Sequence, residues 1–127
     1  MGMIDRLFAS PVYEGSKKLL DVSLMRNEAL TSNIANIETP GYKRVDISAD
    51  FSTTFSEALK SGGVRGVKMP EVLQDVAARS QRKDGNNVVL DEELMQMGKN
   101  VIEYEALTDF VSGSLKQLRV AITGKSI

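Results

Sequence analysis

Three short stretches carry residues whose types and spacing could do chemistry. Gly62-Gly63-Val64-Arg65-Gly66 has the glycines of a loop that cradles phosphate with backbone N–H groups. It lacks the Gly-Lys-Ser/Thr ending of a P-loop, and no apolar strand leads into it. Asp46 and Asp50 stand four apart, on one helix turn or one side of an extended arm. With no pocket signature around them, both are expected in solvent. Lys43-Arg44 beside Tyr42 could contact an anion; the favoured reading is an ion-pairing surface that meets Asp or Glu on a neighbour. The chain has no Cys and no His. Disulfides, the usual Cys/His zinc sites, thiolate nucleophiles and imidazole base catalysis are thereby excluded. A carboxylate- or lysine-based mechanism survives the composition, but no nucleophile–base arrangement is visible. The expectation is a protein that is not an enzyme, with no catalytic, cofactor-binding or metal-binding residues.

Charge and length narrow the class further. Sixteen basic against seventeen acidic residues give a net charge of -1, with no block of one sign. A nucleic-acid partner would demand a basic face, and none is visible. The 127 residues suffice for one domain. Aromatics make up only 6% and Trp is absent, so large core anchors are few and the isolated chain should be of modest stability. Met1-Gly2-Met3-Ile4-Asp5-Arg6 shows no basic leader or apolar run of a cleavable signal. Gly2 is not read as a myristoylation site, because Arg6 stands where Ser or Thr is expected. No apolar run reaches the roughly 18 residues of a membrane span.

The elements that must position these residues are two long helices and a small middle. Ser10-Pro11 reads as an N-cap followed by Pro at the first helical position. From there to about Asn36 the chain favours helix except at Gly15, with a stripe of Tyr13, Lys17, Leu20, Leu24, Asn27, Thr31 and Ile34. Thr39-Pro40-Gly41-Tyr42 stops it: Pro40 forces Thr39 out of the α region, and Pro then Gly fills the centre of a type II turn. Val45, Ile47, Ala49 and Phe51 alternate with polar residues as in a strand or extended arm. Phe51, Phe55 and Leu59 predict a short helix from about Ser52 to Lys60, broken by Gly62-Gly63. Val67, Met69, Val72, Leu73 and Val76 could form one or two short strands, which Pro70 confines to an edge. Asp84-Gly85-Asn86-Asn87 is a turn cluster.

Asp91 then reads as the cap of a last helix running to about Ile122, with Glu92 and Glu93 in its first turn and Gly124 as terminator. Leu90, Leu94, Met97, Val101, Tyr104, Thr108, Val111, Leu115, Leu118 and Ile122 recur at alternating spacings of four and three, with Thr108 the one polar member. Met95, Ile102, Ala106, Phe110 and Val120 form a flanking row. Gly98 and Gly113 each cost about 1 kcal/mol in a helix interior, as tolerated defects or as points where another backbone comes close.

The expected fold is mainly α. Long N- and C-terminal helices pack as a coiled-coil hairpin, with a small irregular, β-containing middle. The segments are 1–40 (helical), 41–87 (extended arm and middle) and 88–127 (coiled-coil helix), forming one structural unit. One partner helix covers one seam, so two apolar rows call for a second neighbour. Burying a large aliphatic side chain contributes about 1.5–3 kcal/mol, against roughly 1–2 kcal/mol of backbone entropy per ordered residue. A lone helix pair is marginal on those terms. The terminal helices are therefore expected to lock only among copies or homologous partners. The alternative is a soluble helical dimerisation or export-chaperone/adaptor module.

The run Ser32-Asn33-Ile34-Ala35-Asn36-Ile37-Glu38-Thr39-Pro40-Gly41-Tyr42-Lys43-Arg44 closely resembles the signature of bacterial flagellar rod and hook proteins. Asp84 to Val88, Leu90-Asp91, Glu93-Leu94, Asn100 and Tyr104-Glu105-Ala106-Leu107 are similar to the proximal rod members of that family. The resemblance covers about residues 4–60 and 80–122. It implies a structural subunit exported through the flagellar type III apparatus without a cleaved signal. Such subunits stack helically into the periplasmic rod, transmit motor torque and surround the export channel. The partners it implies are other copies, other rod proteins, the adaptor protein FliE, the membrane-supramembrane ring and the type III export gate. It also implies an elbow at Asn33, Asn36, Thr39, Pro40, Gly41, Tyr42 and Lys43. The implied packing residues are Leu20, Leu24, Ile34, Leu94, Met97, Val101, Tyr104, Val111, Leu115, Leu118 and Ile122, with Phe51 and Phe55 as contacts of the arm.

Overall fold

Proline sets where the first long helix begins. In the computed structural model, which describes Gly2, Arg6 and residues 10–75, 77–78 and 82–124, helix α1 spans Pro11–Ala35. Ser10 is extended at the cap position but makes no side-chain cap bond. The preset φ of Pro11 therefore does the work of starting the helix. Asn36 closes the other end, its backbone N–H donating to the Ser32 carbonyl at 3.1 Å and its side chain to the same oxygen at 2.8 Å. Thr39–Tyr42 then turns as expected. The Tyr42 N–H donates to the Thr39 carbonyl at 3.2 Å, and Gly41 takes the left-handed φ of 73° that the third position of a type II turn requires.

Strand β1 (Val45–Ile47) pairs antiparallel with β2 (Val72–Gln74), Val45 facing Gln74 and Ile47 facing Val72. The expected alternation up to Phe51 stops at Ile47. Phe51 instead opens helix α2 (Phe51–Ser61), because its ring and that of Phe55, 5.7 Å apart, are needed in the core. Val67 and Met69 lie outside any strand, and Val76 lies outside the described residues. The glycine run is no phosphate loop: Gly62 stops α2 in the left-handed region, and Val64–Gly66 forms a single 3-10 turn.

Helix α3 spans Leu90–Thr123, 34 residues or about 51 Å. Its cap position is Val89, so Asp91 is not the cap but joins Glu92 and Glu93 in the first turn. Asn86 holds the entry instead, its side-chain oxygen accepting from the Val88 N–H at 2.8 Å. Gly124 ends α3 at φ 68°.

The result is a mainly α structure, a hairpin of two long helices with a two-stranded sheet in the middle of the chain. Helix α3, β1, the 3-10 turn and α2 all pack against α1. The apolar core is small: Val22, Phe51, Phe55 and Val64, flanked by Leu19, Ile47 and Val67. Gly15 sits in α1 for want of space, since a Cβ there would meet Phe55 Cζ at 3.1 Å. As many polar as apolar residues are buried among those described, which makes hydrogen bonding a principal support of this fold.

Elbow and exposed helix face

Asn33, fully buried in the last turns of α1, uses all four of its side-chain hydrogen-bonding sites. Its Nδ2 donates to the Val45 carbonyl at 2.8 Å and to Glu93 Oε2 at 3.1 Å. Its Oδ1 accepts from the Val45 N–H at 2.8 Å and from Tyr42 Oη at 3.2 Å. One amide thus ties α1 to β1, to the turn and to α3. Tyr42 Oη also lies 3.1 Å from Ser32 Oγ.

Two more asparagines close the bend from the other side. Asn86 Nδ2 donates to the carbonyls of Asn36 (2.9 Å), Ile37 (3.1 Å) and Thr39 (2.9 Å), in the bend that follows α1. Asn87 accepts from the Arg44 N–H at 2.6 Å and donates to the carbonyls of Asp75 (3.2 Å) and Ala78 (3.3 Å). The Gly41 N–H donates to the Asp84 carbonyl at 2.7 Å, and Lys43 Nζ bonds the Gly85 carbonyl. A Cβ on Gly85 would stand 3.6 Å from Gly41 Cα, so the two turns lie against each other.

Beneath the bend lies an ionic cluster. Arg44 Nε donates to Glu93 Oε1 at 2.6 Å, Nη1 to Asp75, and Nη2 to Asp46 Oδ2 at 3.3 Å. Arg26 on α1 donates to Asp46 Oδ1 at 3.1 Å and to Gln96 on α3 at 3.0 Å. Burial pulls the Arg44 pKa down, but the hydrogen bond and charge of Glu93, with Asp75 and Asp46, outweigh it and leave it raised. For Asp46, burial pushes upward; the hydrogen bond and charge of Arg26, the Ile47 N–H and Arg44 prevail and hold it below its ordinary value. Two expectations are corrected here. Arg44 pairs with acids of its own chain rather than a neighbour's, and Asp46 is an ion-paired, half-buried group rather than a solvated one. Asp50 is exposed at the start of α2.

Helix α3 has two distinct faces. Toward α1 it turns Glu93, Asn100 and Leu107, spaced by seven, of which Glu93 and Asn100 are buried; Ser114, seven further on, is buried too, its hydroxyl donating to the Phe110 carbonyl of α3 itself at 3.1 Å. Asn100 Nδ2 donates to the Ser23 carbonyl of α1 at 2.9 Å. One residue along, the apolar column Leu94, Val101, Leu115 and Ile122 is 47–66% exposed. Met95, Ile102, Phe110 and Val120 of the flanking row are exposed as well. Thr108, the polar member of the apolar column, has its hydroxyl oxygen buried without a hydrogen-bond partner in the described structure. A Cβ at Gly98 or Gly113 would meet nothing within 4 Å among the described residues.

Of the sequence-predicted packing residues, Leu20, Ile34, Met97, Val111 and Leu118 are half-buried, whereas Leu24, Leu94, Val101, Tyr104, Leu115 and Ile122 are exposed. Asn33, Asn36, Thr39, Gly41, Tyr42 and Lys43 all make contacts of the bend, and Pro40 is exposed within its turn. Phe51 and Phe55 are in the core. Sequence reasoning missed Arg26 and Asp75, and it gave Glu93, Asn100, Asn86 and Asn87 no part in the bend, quoting them only as helix-start or turn residues and for the family resemblance. The available signal was polarity at a heptad position: Glu93 and Asn100 interrupt what would otherwise be an apolar arc. No helix among the described residues is long and apolar enough to cross a membrane, and no group of acids there could hold a metal ion.

A long helical hairpin bent at a hydrogen-bonded elbow, with an apolar face left open along its length, has the form of a structural subunit. Comparison with known proteins gives the particular kind. No family model matches the chain. A flagellar basal body rod protein FlgB of Aquifex aeolicus (strain VF5) is 32% identical over 87% of this chain and 91% of its own length. One of Cereibacter sphaeroides is 33% identical over 79% and 84%. One of Bacillus subtilis (strain 168) is 29% identical over 89% and 97%. The chain belongs to the FlgB family of flagellar basal body rod proteins, whose role is structural.

Proposed function

We propose that this chain is a subunit of the proximal rod that assembles helically through its terminal helices, surrounds the export channel and transmits motor torque across the periplasm. The observation that carries this reading is the apolar face of α3, whose residues at 94, 101, 115 and 122 repeat by sevens and lie open. A heptad column is the footprint of another helix. Exposed apolar side chains from Leu94 to Ile122, over about 42 Å, burden the isolated chain and are relieved by a neighbour. Leu20, Leu24, Ile34 and the α3 residues from Leu94 to Ile122 make the packing surface, and Asn33 to Lys43 set the angle between the helices and the arm. Other rod proteins, FliE, the membrane-supramembrane ring and the type III export gate are the neighbours, reached by export without a cleaved signal.

Leu94→Gln with Leu115→Gln tests the reading, since both side chains are already half in water. The variant should keep its helicity in solution, yet cells carrying it should build no complete rod and should not swim. Normal swimming would overturn the proposal. The free chain should sediment as a monomer; a tight dimer in dilute solution would favour the adaptor alternative.

A further inference from the structure

We infer that Asp84-Gly85 is a self-modification site gated by the elbow. While the bend is closed this peptide is held unreacted; once it opens, Asp84 converts through a succinimide to isoaspartate, and the bend no longer closes. Position 85 carries the residue that least shields its own nitrogen, since glycine has no side chain to crowd an approaching carboxyl group. In the first step the Gly85 nitrogen attacks Cγ of Asp84. A C–N bond forms, the carboxyl C–OH bond breaks, and the hydroxyl leaves with the amide proton as water. In the second step water opens the ring at the former main-chain carbonyl. The chain then runs through the Asp84 side chain, with the α-carboxylate left as a branch and the mass unchanged. Nothing is oxidised or reduced, and solvent is at hand because Asp84 is exposed.

In the folded chain every group that must react is engaged. The Gly85 N–H donates to the Arg82 carbonyl at 3.1 Å, and the Asp84 carbonyl accepts from the Gly41 N–H at 2.7 Å. Asp84 Oδ1 accepts from the Asn86 N–H at 3.0 Å and Oδ2 from Arg82 Nη2 at 3.0 Å. Closing the ring strips the nitrogen of the proton it donates and takes one carboxylate oxygen from its partner. The guards are themselves anchored across the bend. Arg82 also donates to the Ile37 carbonyl, and the Asn86 side chain to those of Asn36, Ile37 and Thr39. Opening the bend therefore loosens all of them together. The product does not fit back. An isoaspartyl link lengthens the main chain by one carbon, about 1.5 Å. The Gly41 N–H to Asp84 bond and the Asn87 N–H to Tyr42 carbonyl bond, at 3.3 Å, flank that link and are no longer met together. Gly85 has little room to shift, since a Cβ on it would stand 3.6 Å from Gly41 Cα.

Incubating the full chain at neutral pH, folded and in guanidinium chloride, tests the inference. Trypsin cuts after Lys83, and the peptide that begins at Asp84 is followed for an isomer of equal mass, which fragmentation assigns to position 84. Deamidation of Asn86 or Asn87 changes the mass and is thereby told apart. Each intact bond slows the reaction roughly fivefold, so the unfolded chain should isomerise roughly 10–100 times faster than the folded one. Exchange of the Gly85 amide proton, which reports the same opening, should be slowed in the folded chain by a similar factor. Asn86→Ala in native buffer should isomerise roughly threefold faster than the parent or more, whether it opens locally or fails to fold. The isomerised chain, separated by chromatography and returned to native buffer, should unfold at lower urea than the parent. Equal rates in the folded and unfolded chains, a parent-like rate in Asn86→Ala, or a parent-like urea midpoint for the isomerised chain would each overturn the inference. All of these readouts come from the free chain, so none depends on the assembly reading above.

Discussion

Replacing Asn33 by alanine should be among the most damaging single changes outside the apolar core. Four hydrogen bonds go at once, but their losses are unequal. Tyr42 Oη keeps Ser32 Oγ at 3.1 Å, and Glu93 keeps Arg44 at 2.6 Å. The N–H and carbonyl of Val45 lose the amide that satisfied them both at 2.8 Å. An unmet buried polar group costs about 1–3 kcal/mol, and Val45 is half-buried, so water recovers part of this. The expected loss is about 2–4 kcal/mol. Urea unfolding followed by circular dichroism should show the midpoint falling at constant slope, and the Val45 amide should exchange faster. Asn33→Asp sharpens the test. It keeps the acceptor for Val45 and Tyr42, discards both donors and sets a carboxylate beside Glu93, so at neutral pH it should be no more stable than the alanine variant. A loss below about 1 kcal/mol for Asn33→Ala, or an aspartate variant clearly more stable than it, would refute the account of the elbow.

Gly41→Val should cost about 1–3 kcal/mol, because a β-branched residue resists the φ of 73° found there. Thermal unfolding measures the cost, and motility should be lost with the displaced turn; unchanged stability and swimming would contradict the turn assignment. Acid should also weaken the fold at Asp46. Its folded pKa lies below the unfolded value near 3.8, so its contribution is fully present above that value and disappears as pH falls toward the folded one. Asp46→Asn should therefore flatten the stability profile below about pH 4, measured as unfolding midpoint against pH, and an undiminished slope would exclude the Arg26 pair as its cause.

The long helices were legible because their signals are local. Pro11, the Pro40-Gly41 turn and Gly124 mark ends, and the repeat in α3 is long enough to announce its period. Residues 62 to 87 were obscure for the converse reason: a three-residue strand is too short to display a period of two, and its partner lies over twenty residues away in sequence. The joints of the elbow were illegible one by one. Asn33 bonds Val45 and Glu93, Asn86 bonds Asn36, and Asn87 bonds Arg44, and no spacing rule connects such distant partners. Apolarity ranks the column at 94, 101 and 115 above the one at 93, 100 and 114, yet within the single chain it is Glu93, Asn100 and Ser114 that are buried. Glu93 and Asn100 meet α1 through hydrogen bonds, which a hydrophobic pattern does not register.

The way Asn33 engages Val45 bears on where fibres can and cannot start. Its amide stands where a third strand would lie, occupying the N–H and carbonyl of Val45 together, so a foreign peptide would have to evict it to zip onto that border at Val45. The opposite border, β2, is only three residues long, too brief to template a ribbon. Amyloid-like stacking is thereby closed off on one side and starved on the other.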